Sequence, residues 1–130
     1  MSQREIEIIL ARHLAEHLVL PVFIVDPEGN LLFYNEPAGK ILGYRYEETG
    51  VMPASQWATI FKPVDRKGRG LMPEELPLVI ATMHQRPAHS SFWIEGMDQK
   101  NRKLEVTAFP LVNQAQHFLG AIAFFWEVEE

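Results

Sequence analysis

The chain has 130 residues, no cysteine and a formal net charge of −5. That length can bury one core without staples, and the missing cysteines exclude disulfides, thiolate metal sites and every cysteine nucleophile. The 12 Lys and Arg are scattered rather than striped, the N-terminus is charged where a signal peptide is apolar, and no apolar run approaches the ~18 residues of a spanning helix, so the sequence reads as soluble and cytoplasmic, with no nucleic-acid or membrane partner.

Arg4 to Leu20 reads as an amphipathic helix. Ile6, Ile9, Leu10, Leu14 and Leu18 recur at spacings of three and four, with Arg4, Glu5, Glu7, Arg12 and Glu16 on the other side. Inside it, His13-Leu14-Ala15-Glu16-His17 matches H-x-x-E-H, two imidazoles one turn apart as in one class of zinc protease. Such a site needs a third ligand and a cleft, which nothing nearby supplies, so surface or interface histidines are expected. Val22 to Val25 is an apolar β-rich run, Asp26-Pro27-Glu28-Gly29-Asn30 is a turn, and Leu31 to Tyr34 completes a hairpin. Asn35 is placed to cap a short helix, Glu36 to Leu42, that Gly43 closes.

This order of strand, Asp-x-x-Gly turn, strand, Asn, short helix and Gly-Tyr resembles the opening of a PAS domain, a small sensor and interaction module. Gly43-Tyr44-Arg45-Tyr46-Glu47-Glu48 continues the resemblance with an acidic pair opening further helix. Between Val51 and Lys62, the residues Met52, Trp57, Ile60 and Phe61 read as a short helix burying the Trp, bounded by Pro53 and Pro63. The loop Asp65-Arg66-Lys67-Gly68-Arg69-Gly70 is basic enough to weigh as a phosphate cradle. It lacks the G-x-x-x-x-G-K-[ST] spacing and a leading strand, so a solvated loop is expected. Pro73 to about Gln85 reads as a helix with prolines and acids in its first turn, ended by Pro87. The pattern from Leu71, Leu-x-Pro-Glu-Glu-Leu-Pro-Leu, is similar to a large bacterial subgroup of PAS sequences.

The last third reads as a three-strand meander, Ala88 to Gly96, Lys103 to Leu111 and Leu119 to Val128. Alternation puts Ile122, Phe124 and Trp126 on one side of the last strand and Ala121, Ala123, Phe125 and Glu127 on the other. Leu104, Val106 and Ala108 likewise oppose Glu105, Thr107 and Phe109. Both faces are apolar, so both need covering.

The resemblance spans about residues 18 to 128 and implies an α+β PAS fold. Its antiparallel five-stranded sheet would carry short helices on one face, with residues 1–20 a capping or dimerising helix ahead of a PAS domain at 21–130. It implies an apolar pocket from Phe23, Val25, Ile41, Leu42, Ile80, Phe92, Ile94, Leu104, Val106, Ala108, Ala123 and Phe125. The opposite face, with Trp93, Phe109, Ile122, Phe124 and Trp126, is too apolar to stay bare. With Ile6, Ile9, Leu10 and Leu14, the residues Phe109, Ile122, Phe124 and Trp126 would form a homodimer face. Flavin members of the family use a cysteine and strand amides. This chain has no cysteine and places Ile94, Leu104 and Phe125 at those strand positions, which argues against flavin. Haem members use a helix histidine nearer the helix start than His84, and His89 is the other candidate. The expected function is a sensory module that binds a small apolar ligand and dimerises, with a signalling protein as partner. Its alternatives are a ligand-free dimerisation module and a haem sensor through His84. No Ser/His/Asp order or carboxylate pair in an apolar pocket can be picked out, and Glu105, Glu127 and Asp98 have solvent or strand-edge readings, so no enzyme is expected. A ketosteroid-isomerase-like cone is the enzyme alternative. The ending Glu127-Val128-Glu129-Glu130 departs from the Asp-[Ile/Val]-Thr that leads into an output helix in PAS sensors. The chain is expected to be either a piece of a larger signalling protein or a single domain whose output is binding.

Overall fold

The computed structural model describes residues 10, 13–14, 17–43, 50–53, 56–57, 62–95 and 101–128. Five strands, β1 (Val22–Val25), β2 (Leu31–Tyr34), β3 (Ala88–Glu95), β4 (Asn101–Val112) and β5 (Phe118–Val128), form one antiparallel sheet in the order β2-β1-β5-β4-β3. Between β2 and β3 lie α1 (Glu36–Leu42), a 3₁₀ turn (Pro73–Glu75) and α2 (Pro77–His84). β4 begins two residues earlier than its apolar run, because Asn101 and Arg102 pair with Glu95 and Ile94 once β3 is alongside. The partner strand, rather than local propensity, sets that boundary.

Three connections share one device. In Asp26–Asn30, Asp65–Arg69 and Asn113–His117, the first side chain's Oδ1 accepts the N–H groups two and four residues on, at 2.9–3.0 Å. The first backbone N–H returns to the fifth carbonyl at 2.9, 2.9 and 3.1 Å. The fourth residue is then left-handed: Gly29 at φ 89°, Gly68 at 84° and Gln116 at 65°. Asp and Asn suit the first position because a short side-chain acceptor reaches its own following amides.

The inner face and the helices bury one cluster that includes Phe23, Tyr34, Ala38, Leu42, Trp57, Leu78, Phe92, Leu104 and Phe125. The outer face has a smaller cluster of Val22, Ile24, Phe33 and Ile122, with Leu18, Leu32, Leu111 and Phe124 packed against it. Sequence alternation separates the two faces as expected in β5. Of the expected dimer face, Ile122 is 8% exposed and Phe124 half-buried, while Phe109 and Trp126 are 38% and 36% exposed. Trp93 lies partly under the Lys103 ammonium, 5.1 Å from its ring centroid. Leu10 and Leu14 are exposed; Ile6, Ile9 and the 44–48 segment lie outside the described residues.

Candidate functional site: an apolar cavity inside the sheet

α1 is held by Asn35, whose Oδ1 accepts Ala38 N–H at 3.1 Å. α2 starts on Pro77, whose missing N–H is no loss in a first turn. Its apolar opening, Leu76-Pro77-Leu78, is buried, and it meets the inner faces of β3, β4 and β5 around a cavity of about 90 Å³.

Phe23, Leu42, Phe92, Ile94, Leu104, Val106, Ala123 and Phe125 line it. Val25 and Ala108 are fully buried but do not reach it, and Ile41 and Ile80 are half-buried outside it. Alternation assigns a residue to a face and not to a place along that face, and Val25 sits toward the end of β1, opposite Leu31 and Ala121. The remaining wall is Trp57, Pro63, Leu76, Pro77 and Leu78. The apolar first turn of α2 was the signal for three of these.

No lining side chain is titratable. The one polar atom among them, Trp57 Nε1, donates to Gly29 O at 2.8 Å, and the indole stands edge-on to Phe23 at 5.4 Å between centroids. The cavity therefore offers shape and dispersion and no hydrogen bond from a side chain. Its volume equals about three liquid-water volumes, below the ~150 Å³ of an engineered cavity that takes up benzene and well below the ~300–1,000 Å³ of ordinary cofactor sites.

Haem does not fit these residues. His84 is exposed in the last turn of α2, and His89 is exposed on the outer face, its Nε2 2.9 Å from Glu105 Oε2. Flavin does not fit either, since Ile94, Leu104 and Phe125 occupy the wall where an amide would be needed.

The polar groups lie outside the cavity. Ser91 Oγ donates to Glu105 Oε1 at 2.5 Å, and this bond, with His89, holds the carboxyl below its ordinary range. In the 65–70 loop, the Lys67 and Arg69 N–H groups turn onto Asp65, so what resembled a phosphate cradle is filled by its own carboxylate. Arg69 joins that carboxylate to Glu75, with N–O distances of 2.9 Å to each. Its backbone N–H first, and its guanidinium as well, lower the Asp65 pKa, and its guanidinium lowers that of Glu75. His17 Nδ1 lies 2.9 Å from its own helix carbonyl, His13 O. Among the described residues, no three His, Cys, Asp or Glu gather as metal ligands.

The sheet order, α1 and α2 on one face and the cavity between sheet and helices define the class: a single-sheet α+β module with an apolar internal pocket. A family model described as the PAS fold matches residues 10–128, and the chain belongs to that family of sensory modules. The structure is similar to the PAS domain of a protein from Colwellia psychrerythraea (TM-score 0.65, 12% identity, covering 94% of this chain and 97% of that one). It is also similar to the PAS domain of Bordetella pertussis BvgS (0.62, 14%, 95% and 87%) and to the LOV protein of Rhodobacter sphaeroides (0.71, 14%, 98% and 69%). At these identities the likeness is one of fold. No curated protein matches the sequence. No described helix is long and apolar enough to cross a membrane.

Proposed function

We propose that the chain is a cytoplasmic, non-enzymatic sensory module that takes a small, uncharged apolar molecule into the central cavity and works as a homodimer through its outer sheet face, addressing a signalling partner. The observation that carries the reading is the wall itself, apolar throughout with its one indole N–H already engaged. Such a site selects by fit and rejects charge, because an ion there would lose its hydration with nothing in return. β5 supplies a route outward. Ala123 and Phe125 face the cavity while Ile122, Phe124 and Trp126 face out, so displacement of β5 by an occupant reaches the outer face directly.

Native mass spectrometry with an absorbance scan on the purified protein tests the ligand. The expected result is an added small mass without a Soret band, lost in Ala123→Val, which fills the space with methyl groups. A bare protein that also takes up no benzene-sized probe would favour the second reading, a ligand-free interaction module, for which the small volume of the cavity speaks. For the dimer, Trp126→Asp is expected to yield monomer in sedimentation, and an unaffected dimer would place the contact elsewhere.

A further inference from the structure

His13 and His17 are exposed and stand four residues apart, so a helical turn brings their side chains to one face. That turn is formed: His13 and Leu14 are helical, and the His17 N–H donates to Leu14 O at 3.0 Å. The two imidazole rings lie 4.8 Å apart between centroids, 41° from parallel. Two features make the pair more than two surface histidines. The first is the position of a proton. His17 Nδ1 lies 2.9 Å from His13 O, and a carbonyl oxygen only accepts, so Nδ1 carries the hydrogen. In the neutral ring Nε2 then holds the free lone pair. A backbone carbonyl that engages one ring N–H is the arrangement that orients metal-bound histidines. The second feature is the spacing. For two imidazoles on one metal ion, with about 2.0–2.1 Å to each nitrogen and about 90–110° between the bonds, the ring centres fall roughly 4.5–5.2 Å apart. The rings are already at that separation. Stacking accounts for such a distance as well, but it uses the ring faces and leaves the nitrogens open. Among the described residues, His13 O is the one group that meets a ring nitrogen of either histidine.

We propose that His13 and His17 chelate one divalent transition-metal ion of the class imidazole prefers, Zn²⁺, Ni²⁺ or Cu²⁺, with water in the remaining positions. A protease-type zinc site needs a third protein ligand and a cleft; a two-histidine surface chelate needs neither. Mg²⁺ and Ca²⁺ do not match the pair, since they take oxygen ligands and it offers nitrogen. The site stands next to the sheet. Leu18, the following residue, packs against the outer-face cluster, Leu20 O accepts Asn35 Nδ2 at 2.9 Å, and Pro21 O accepts the Phe125 N–H at 3.1 Å. The ion therefore closes a turn directly ahead of the point where the chain is tied into the fold. Only the turned backbone presents both imidazoles to one ion, so binding stabilises that turn.

Titration of ZnCl₂ into the full chain without a histidine tag tests this, followed by calorimetry and by NMR of the imidazole nitrogens. The expected result is one ion per chain with micromolar affinity. His17 Nε2 and a His13 nitrogen shift, His17 Nδ1 stays protonated, and the His84, His89 and His117 rings do not respond. His13→Gln and His17→Gln are each expected to weaken binding by at least about tenfold, the loss that removal of even an outer-sphere partner brings. His89→Gln is expected to leave the affinity unchanged, and MgCl₂ to produce no shift at either ring. Both glutamine variants replace exposed side chains, so the fold persists in them. The proposal is overturned if millimolar ZnCl₂ moves neither imidazole, or if the affinity survives in both glutamine variants.

Discussion

The side-chain oxygen of Asn35 accepts the backbone N–H of Val22 at 3.0 Å, across thirteen residues of sequence. The same oxygen caps α1 through Ala38 N–H, and the Nδ2 amide donates to Leu20 O at 2.9 Å. Asn35 is 2% exposed. One side chain thus fixes where β1 enters the sheet and where α1 leaves it.

Asn35→Ala is expected to destabilise the protein by about 2–4 kcal/mol: roughly 1 for the cap and about 1–3 for the Val22 and Leu20 groups left unpaired. Urea unfolding measures this. A loss below about 1 kcal/mol would mean that water or neighbouring groups replace the bridge.

The repeated turn predicts opposite responses to opposite substitutions. Gly68→Ala has open space for its methyl group, so only the left-handed backbone resists it, and a loss of about 1–2 kcal/mol is expected. Gln116→Gly relieves the same strain at the equivalent position and is expected to gain up to about 1 kcal/mol, less the glycine's unfolded-state entropy. Thermal unfolding of the two variants should bracket the parent protein; shifts of the same sign would contradict the shared geometry.

Acid should loosen the 65–75 segment before the sheet. Asp65 and Glu75 titrate below their ordinary values of 3.8 and 4.5. A carboxylate with a lower pKa folded than unfolded contributes stability that is in place above the unfolded value and disappears as pH falls through the folded one. The order is therefore intact at neutral pH and lost below about pH 4. Protection of the Lys67 and Arg69 amides, followed by NMR down the carboxylate range, reads this directly, and Asp65→Ala should abolish that protection already at neutral pH.

Leu104→Ala opens the cavity from its floor. It is expected to cost about 2–5 kcal/mol and to admit benzene or xenon that the parent takes up less well. Thermal shift in the presence of benzene reports both effects, and a variant that gains no affinity would mean that the surrounding side chains collapse into the space.

Much of this could be read from the chain. The 2.0 and 3.6 periodicities separate the inner face of Leu104, Val106, Ala123 and Phe125 from the outer face of Phe124 and Trp126, and Asn35 stands where a cap belongs. Its second role was not legible, because Val22 and Leu20 become its neighbours only when β1 lies beside β2. Gly120 carries no local signal either, yet at φ 131° a methyl group there would run into the Val25 carbonyl oxygen of the adjacent strand.

The strands, α1, α2 and the turn residues were legible in the chain, since each rests on local backbone preference and alternation within a few residues, and the order of these motifs carried the resemblance to the family. Tertiary structure alone set the size of the cavity and which inward residues reach it, the engagement of Trp57 with Gly29, and the bridge of Val64 to Trp93 on the β3 edge. Those depend on distances between segments far apart in the chain, and such distances are set by how the whole sheet twists and closes over its helices rather than by any one stretch.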